Sequence, residues 1–142
     1  MTTGTPRTTG FNHVATLTPD LDRYVEFYRR MFGATVVRTM EGREDHPRMA
    51  LIDVGAAAHL AAFEVPASEI VGERDRIGRR GPIDHFALSV GSREELEAAR
   101  DRLRDAGASP GEITDFGSEL SVFFRDPDGA ELEVCWHVDA SS

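Results

Sequence analysis

The first patterned stretch, residues 11–17 (Phe11-Asn12-His13-Val14-Ala15-Thr16-Leu17), is a short, largely apolar run bounded by turn residues and reads as a strand. Thr18-Pro19-Asp20 turns the chain and offers Thr18 or Asp20 as a helix cap. Apolar residues then recur at Leu21, Tyr24, Val25, Phe27, Tyr28, Met31 and Phe32, the stripe of an amphipathic helix that Gly33 is placed to end. Three β-rich runs follow at 34–40, 48–54 and 57–65, with a charged turn at 41–47 and a joint at Gly55. The first half therefore reads β-α-β-β-β.

The second half repeats the plan. Residues 83–90 (Ile83-Asp84-His85-Phe86-Ala87-Leu88-Ser89-Val90) echo the first strand: apolar, Asn or Asp, His, apolar, Ala. Ser92 with Glu95 three residues on forms a capping-box pattern, Leu96, Ala99, Leu103 and Ala106 mark a buried helix face, and Gly107 its end. Strands are expected at 111–116, 119–125 and 130–136, the last two joined by the turn Asp126-Pro127-Asp128-Gly129. A repeat of this length implies one supersecondary unit used twice. The expected fold class is α+β, a single domain (1–142) of two βαβββ modules, about 11–65 and 83–137. Between them, 66–82 lacks periodicity and holds Arg74, Arg76, Arg79 and Arg80 with Gly72, Gly78 and Gly81. It reads as a linker or a lid, its arginines as a solvated face. Residues 1–9 and 137–142 read as loose ends.

Composition narrows the partners. At 142 residues the chain can bury a core without staples. Sixteen basic against 25 acidic side chains give a net charge of −9, which argues against a nucleic-acid or anionic-membrane surface. A lone cysteine, Cys135, excludes an internal disulfide and fits a reducing compartment. The N-terminus is polar and unlike a signal peptide, and no apolar run reaches the length of a membrane span. The expectation is a soluble cytoplasmic protein.

Strand alternation sorts the candidate chemistry by face. His13 shares a face with Phe11, Ala15 and Leu17, His85 with Ile83, Ala87 and Ser89, and His59 with Ala61 and Phe63. Each of these histidines has alanine two residues on, which leaves space beside the imidazole that a packed core would fill. In the last strand Glu131, Glu133 and Cys135 share a face, with Glu131 nearer the strand end and solvent. Imidazole nitrogens and a carboxylate converging on such a space make a site for a divalent transition metal. Singly, each strand histidine reads as a structural residue sooner than as a ligand; the three together, with an acid on the final strand, shift the balance to a metal. His46 reads as solvated in its charged turn, with contact to substrate as the lesser alternative, His137 as lying past the last strand, and Cys135 as a buried unreactive thiol sooner than a pocket-lining one.

Asn12-His13-Val14, the helix text Asp20-Leu21-Asp22 with Phe27-Tyr28 and Phe32-Gly33, Asp84-His85-Phe86-Ala87, and Asp126-Pro127-Asp128-Gly129 leading to Leu132-Glu133 resemble the vicinal oxygen chelate superfamily. That superfamily includes glyoxalase I, extradiol dioxygenases, methylmalonyl-CoA epimerase, and fosfomycin- and bleomycin-resistance proteins. The resemblance implies paired βαβββ modules forming a cupped mixed sheet around a divalent metal (zinc, nickel, manganese or ferrous iron). It also implies ligands from the first, fifth and eighth strands, here His13, His85 and Glu133. Glyoxalase I and the epimerase take a fourth ligand, usually Glu or Gln, from the fourth strand, where this chain has His59. That departure makes His59 either a fourth ligand or a catalytic acid–base group beside a two-His, one-carboxylate triad. A triad suits ferrous iron and oxygen chemistry on a catechol, as in an extradiol-type dioxygenase. A fuller shell suits carbonyl polarisation and proton transfer, with Glu133 as the catalytic shuttle. Val37-Arg38-Thr39 resembles second-strand text of glyoxalase I, where arginine grips glutathione. The leading expectation is a glyoxalase-like lyase or isomerase acting on a small molecule with vicinal oxygens, as a homodimer. A bleomycin-resistance-type drug-binding module is the non-enzymatic alternative.

Overall fold

The computed structural model describes residues 4–73, 76 and 78–138. Its elements are β1 (His13–Thr18), α1 (Leu21–Phe32), β2 (Thr35–Met40), β3 (Met49–Gly55), β4 (Ala58–Glu64), β5 (Ala87–Ser89), α2 (Arg93–Asp105), β6 (Thr114–Asp115), β7 (Glu119–Arg125) and β8 (Glu131–His137). A 3-10 turn occupies Ala67–Glu69. The order is β-α-β-β-β twice over, an α+β fold. Two four-stranded mixed sheets result, ordered β1-β4-β3-β2 and β5-β8-β7-β6. In each, the first strand runs parallel to the last of its unit and the other pairings are antiparallel.

Local chemistry sets the helix ends. The Asp20 carboxylate accepts from the Arg23 N–H and the Ser92 hydroxyl from the Glu95 N–H, satisfying donors that the first turn leaves open. Gly33 ends α1 in the left-handed conformation, φ 67°, which an L-side chain adopts only at a cost.

Each helix covers one face of its own sheet. Leu21, Tyr24 and Tyr28 of α1 pack on Ile52, Leu60 and Ala62. Leu96, Ala99 and Leu103 of α2 pack on Val122, Phe124, Leu132 and Val134. Phe27 and Phe32 of α1 border both cores and meet the Phe124 ring at 5.9 and 5.5 Å, joining the two units through aromatic contact. With one face of each sheet under a helix, the alternate side chains of every strand project from the other, open face.

Several strand ends differ from expectation, and the sixth strand, expected at 111–116, is reduced to Thr114–Asp115. Residues 83–86 do not enter the ladder: β5 spans three residues and begins at Ala87, two beyond His85. His137 is the last residue of β8 rather than part of a frayed end.

Candidate metal centre

On the first sheet, β1 and β4 run parallel with His13 opposite His59 and Ala15 opposite Ala61. Val14, Leu60 and Ala62 pack toward α1, so both imidazoles stand on the open face. They border a surface cavity of about 430 Å³ together with Arg38, Met40, Leu51 and Phe63. His13 Nδ1 lies 2.8 Å from Asn12 Oδ1. With the amide oxygen accepting, Nδ1 carries the proton and the Nε2 lone pair is left available.

The second sheet repeats this arrangement with charge. Ala87 is opposite Glu133 in the β5–β8 pairing. His85 lies 2.7 Å from Asp84 Oδ1 through Nδ1 and 2.6 Å from Glu133 Oε2 through Nε2. Ser121, fully buried on β7, donates its hydroxyl to Glu133 Oε1 at 2.6 Å. Burial pushes the His85 pKa down, but the hydrogen bonds and charges of Asp84 and Glu133 outweigh it and hold it above the usual imidazole value. The hydrogen bond from His85, then the Gly78 N–H, lower the Asp84 pKa. Cys135 points to the same region, and burial above all pushes its thiol up to about 11. A neutral, buried thiol agrees with the inert reading of this residue.

The repeated Asn/Asp-His text thus has a structural meaning. In each unit the side chain just before the histidine binds its Nδ1, and a second metal-competent group stands beside the imidazole: His59 for His13, Glu133 for His85. The structure brings the four expected residues together as two pairs. Among the described residues, no group of three or more His, Cys, Asp or Glu converges in a geometry that could hold a metal ion. In chemistry, three imidazoles and one carboxylate fit a divalent transition metal. Each pair supplies half of that set.

Four readings from sequence need correction. Arg80 is not solvated: its side chain is 6% exposed and bridges Asp84 and Glu131. Arg76 and Arg79 are exposed and pair with Glu73, whereas Arg74 lies outside the described residues. Glu131 is accordingly tied to Arg80 rather than given up to solvent. His46 is half-buried, its ring edge-on to Phe63 and its Nδ1 2.6 Å from the Pro47 carbonyl oxygen. His137 is in β8, exposed, 3.9 Å from Glu119. Three supporting roles were not foreseen from sequence: Asp84 as the anchor of His85, Ser121 as a donor to Glu133, and Arg80 as the bridge between Asp84 and Glu131. Only Asp84 left a signal, through its match to Asn12 in the repeat.

Two helix-backed βαβββ units with a histidine on the open face of each belong to the glyoxalase fold class. The chain matches the sequence model of the Glyoxalase/Bleomycin resistance protein/Dioxygenase superfamily over residues 10–134, and it is a member of that superfamily. It is 31% identical over 126 residues to a lactoylglutathione lyase of Salmonella typhimurium, covering 85% of this chain and 87% of that protein. It is 30% identical over 125 residues to a putative lactoylglutathione lyase of Brassica oleracea, covering 87% of this chain but spanning only 43% of that longer relative. Among solved structures, a glyoxylase/bleomycin resistance protein/dioxygenase domain from Frankia sp. superposes with a TM-score of 0.74 at 23% identity, over 92% of this chain and 99% of that one.

Proposed function

We propose that this chain is a divalent-metal-dependent enzyme of the lyase or isomerase type, acting on a small substrate that carries two vicinal oxygens. One observation carries the reading. Each sheet presents an imidazole on its open face, anchored at Nδ1 by the preceding side chain and flanked by a second potential ligand. His13, His59, His85 and Glu133 would hold the cation. When bound, a divalent cation supplies Lewis-acid polarisation of the paired oxygens.

The chain's own residues supply orientation and proton transfer. Ser121 fixes Glu133 Oε1, while Oε2 faces His85 on the open side. Glu133 is thereby set to take a proton from one substrate carbon and return it to the next. His59 serves as the fourth ligand or as a second acid–base group. Similarity to lactoylglutathione lyases over most of the chain favours proton transfer above ring cleavage.

The two halves stand on separate sheets of one chain, so the complete site is proposed to lie between two copies, the first sheet of one meeting the second sheet of the other. A mixing experiment tests this. A chain lacking His13 and His59 and a chain lacking His85 and Glu133 are each expected to be inactive. Refolded together, they should recover about a quarter of the wild-type sites, since half the dimers are mixed and each mixed dimer holds one intact site. No recovery, with mixed dimers present, would sink the shared site. Elemental analysis tests the metal: near-stoichiometric metal in wild type and a sharp fall in His59→Ala support a four-ligand site. Metal retained in that variant moves the three-ligand dioxygenase forward, and a protein that takes up no metal is better read as a drug-binding module.

A further inference from the structure

His85 is the one candidate ligand held at the margin of its sheet. The β5 ladder begins two residues later, and the nearest backbone support is the Glu133 N–H reaching the Phe86 carbonyl oxygen at 3.3 Å. Side chains hold the segment instead. The Arg80 guanidinium donates from Nη1 to Asp84 Oδ1 at 2.6 Å and from Nη2 to Glu131 Oε1 at 2.8 Å. A single rigid fork therefore ties the approach to β5 onto the first residue of β8. Asp84 Oδ1 also accepts from His85 Nδ1, and Asp84 Oδ2 from the Gly78 N–H at 3.1 Å. Both carboxylate oxygens are occupied, so the carboxylate can turn only by breaking charge-assisted bonds.

We propose that Arg80 is a positioning residue for His85, acting through Asp84 to fix the imidazole so that Nε2 faces the site shared with Glu133. The inference rests on the reading of His85 as a metal ligand. Among the described residues, Arg80 bonds to none of the four proposed ligands and pairs with Asp84 and Glu131. Its planar fork spans two carboxylates, which a lysine ammonium does less well. His13 differs in lying within its strand, where the β1–β4 ladder holds the backbone directly.

The test is zinc affinity of the full-length protein, read by competition with a chromophoric chelator, with melting temperature followed in parallel. Arg80→Ala is expected to weaken zinc binding roughly tenfold, the lower end for loss of an outer-shell partner, and Arg80→Lys to recover part of it. Arg79→Ala, at an exposed neighbour, should bind as wild type. In an Asp84→Asn background, Arg80→Ala should add little, because its route is already cut. In the metal-free protein, the His85 Nδ1 proton should be seen by nitrogen-edited NMR in wild type and be lost to exchange in Arg80→Ala. Wild-type zinc affinity in Arg80→Ala overturns the inference, and so does an equal loss in both backgrounds, which would mark a general effect on the fold. If Arg80→Ala does not fold, Arg80→Lys decides: unchanged affinity and an unchanged ring proton overturn the role. Weak binding by His85→Ala beside intact binding by Arg80→Ala removes the positioning role alone. Wild-type binding by His85→Ala removes the ligand reading and this role with it.

Discussion

Ser121 has no exposed surface, and its hydroxyl lies 2.6 Å from Glu133 Oε1. A buried donor to a carboxylate makes a strong bond, and here it fixes the oxygen that would otherwise rotate. On the proposed role of Glu133 as a metal ligand, Ser121→Ala should lower zinc affinity by about tenfold or more while the chain stays folded, measured by the same chelator competition alongside circular dichroism. The candidate ligands were legible one residue at a time because a histidine or glutamate announces its chemistry and strand period assigns its face. Their supports were not. Serine and arginine are common everywhere, and only the fold makes Ser121 a neighbour of Glu133 or carries Arg80 into a buried position between two acids.

Two elements invite measurement. The β3–β4 hairpin pairs Gly55 with Ala58, leaving Ala56 and Ala57 as its two-residue loop, both left-handed at φ 51° and 62°. A loop of this kind favours Asn-Gly, and alanine is strained there. Replacing Ala56-Ala57 by Asn-Gly should stabilise the protein by about 1 kcal/mol, read as a higher urea midpoint with unchanged slope. The second element is the start of α1, where Glu64 Oε2 accepts from the Leu21 N–H at 2.8 Å and from Arg48 at 3.0 Å. The Leu21 N–H first, then Arg48, lower the Glu64 pKa. A folded-state pKa below the unfolded one adds stability that is fully present above the unfolded value and lost as pH falls through the folded value. Glu64→Gln should therefore cost about 0.5–1 kcal/mol near neutrality, the small figure reflecting solvent screening of a pair one-third open to water. The difference between the two proteins should vanish in urea titrations carried down through the acid range; a constant difference at all pH values would contradict this account. The hairpin joint was foreseen at Gly55, but no local pattern reports a carboxylate 43 residues away at a helix start.

At the scale of the molecule, Phe124 is where the units meet. Its ring is almost wholly buried and contacts Phe27 and Phe32 of the other unit's helix. Phe124→Ala should cost about 3–5 kcal/mol, seen as a marked drop in the denaturation midpoint. The open faces pose the opposite problem. Phe11 precedes β1 and is 82% exposed, and Ile83, on the approach to His85, is 78% exposed. Large apolar side chains beside the proposed half-sites are what an interface between copies would cover. On the proposed shared-site dimer, Phe11→Asp should raise the monomer fraction in sedimentation while leaving far-ultraviolet circular dichroism unchanged; a dimer of undiminished strength would remove Phe11 from the interface.

The sequence by itself determined the repeated β-α-β-β-β order, the helix caps and the strand face that His13 and His59 take. These follow from short-range rules: the period of a strand, the period of a helix, and the few residues able to cap or turn a chain. Tertiary structure alone decided which groups meet. His13 faces His59 because β1 lies parallel to β4, and Ser121 reaches Glu133 because β7 lies against β8. His85 is held by Arg80 and Asp84 because its segment stops short of the ladder. Pairing of strands far apart in the chain leaves no periodic trace in sequence, so the separation of the His13–His59 pair from the His85–Glu133 pair became visible only when both sheets were in place.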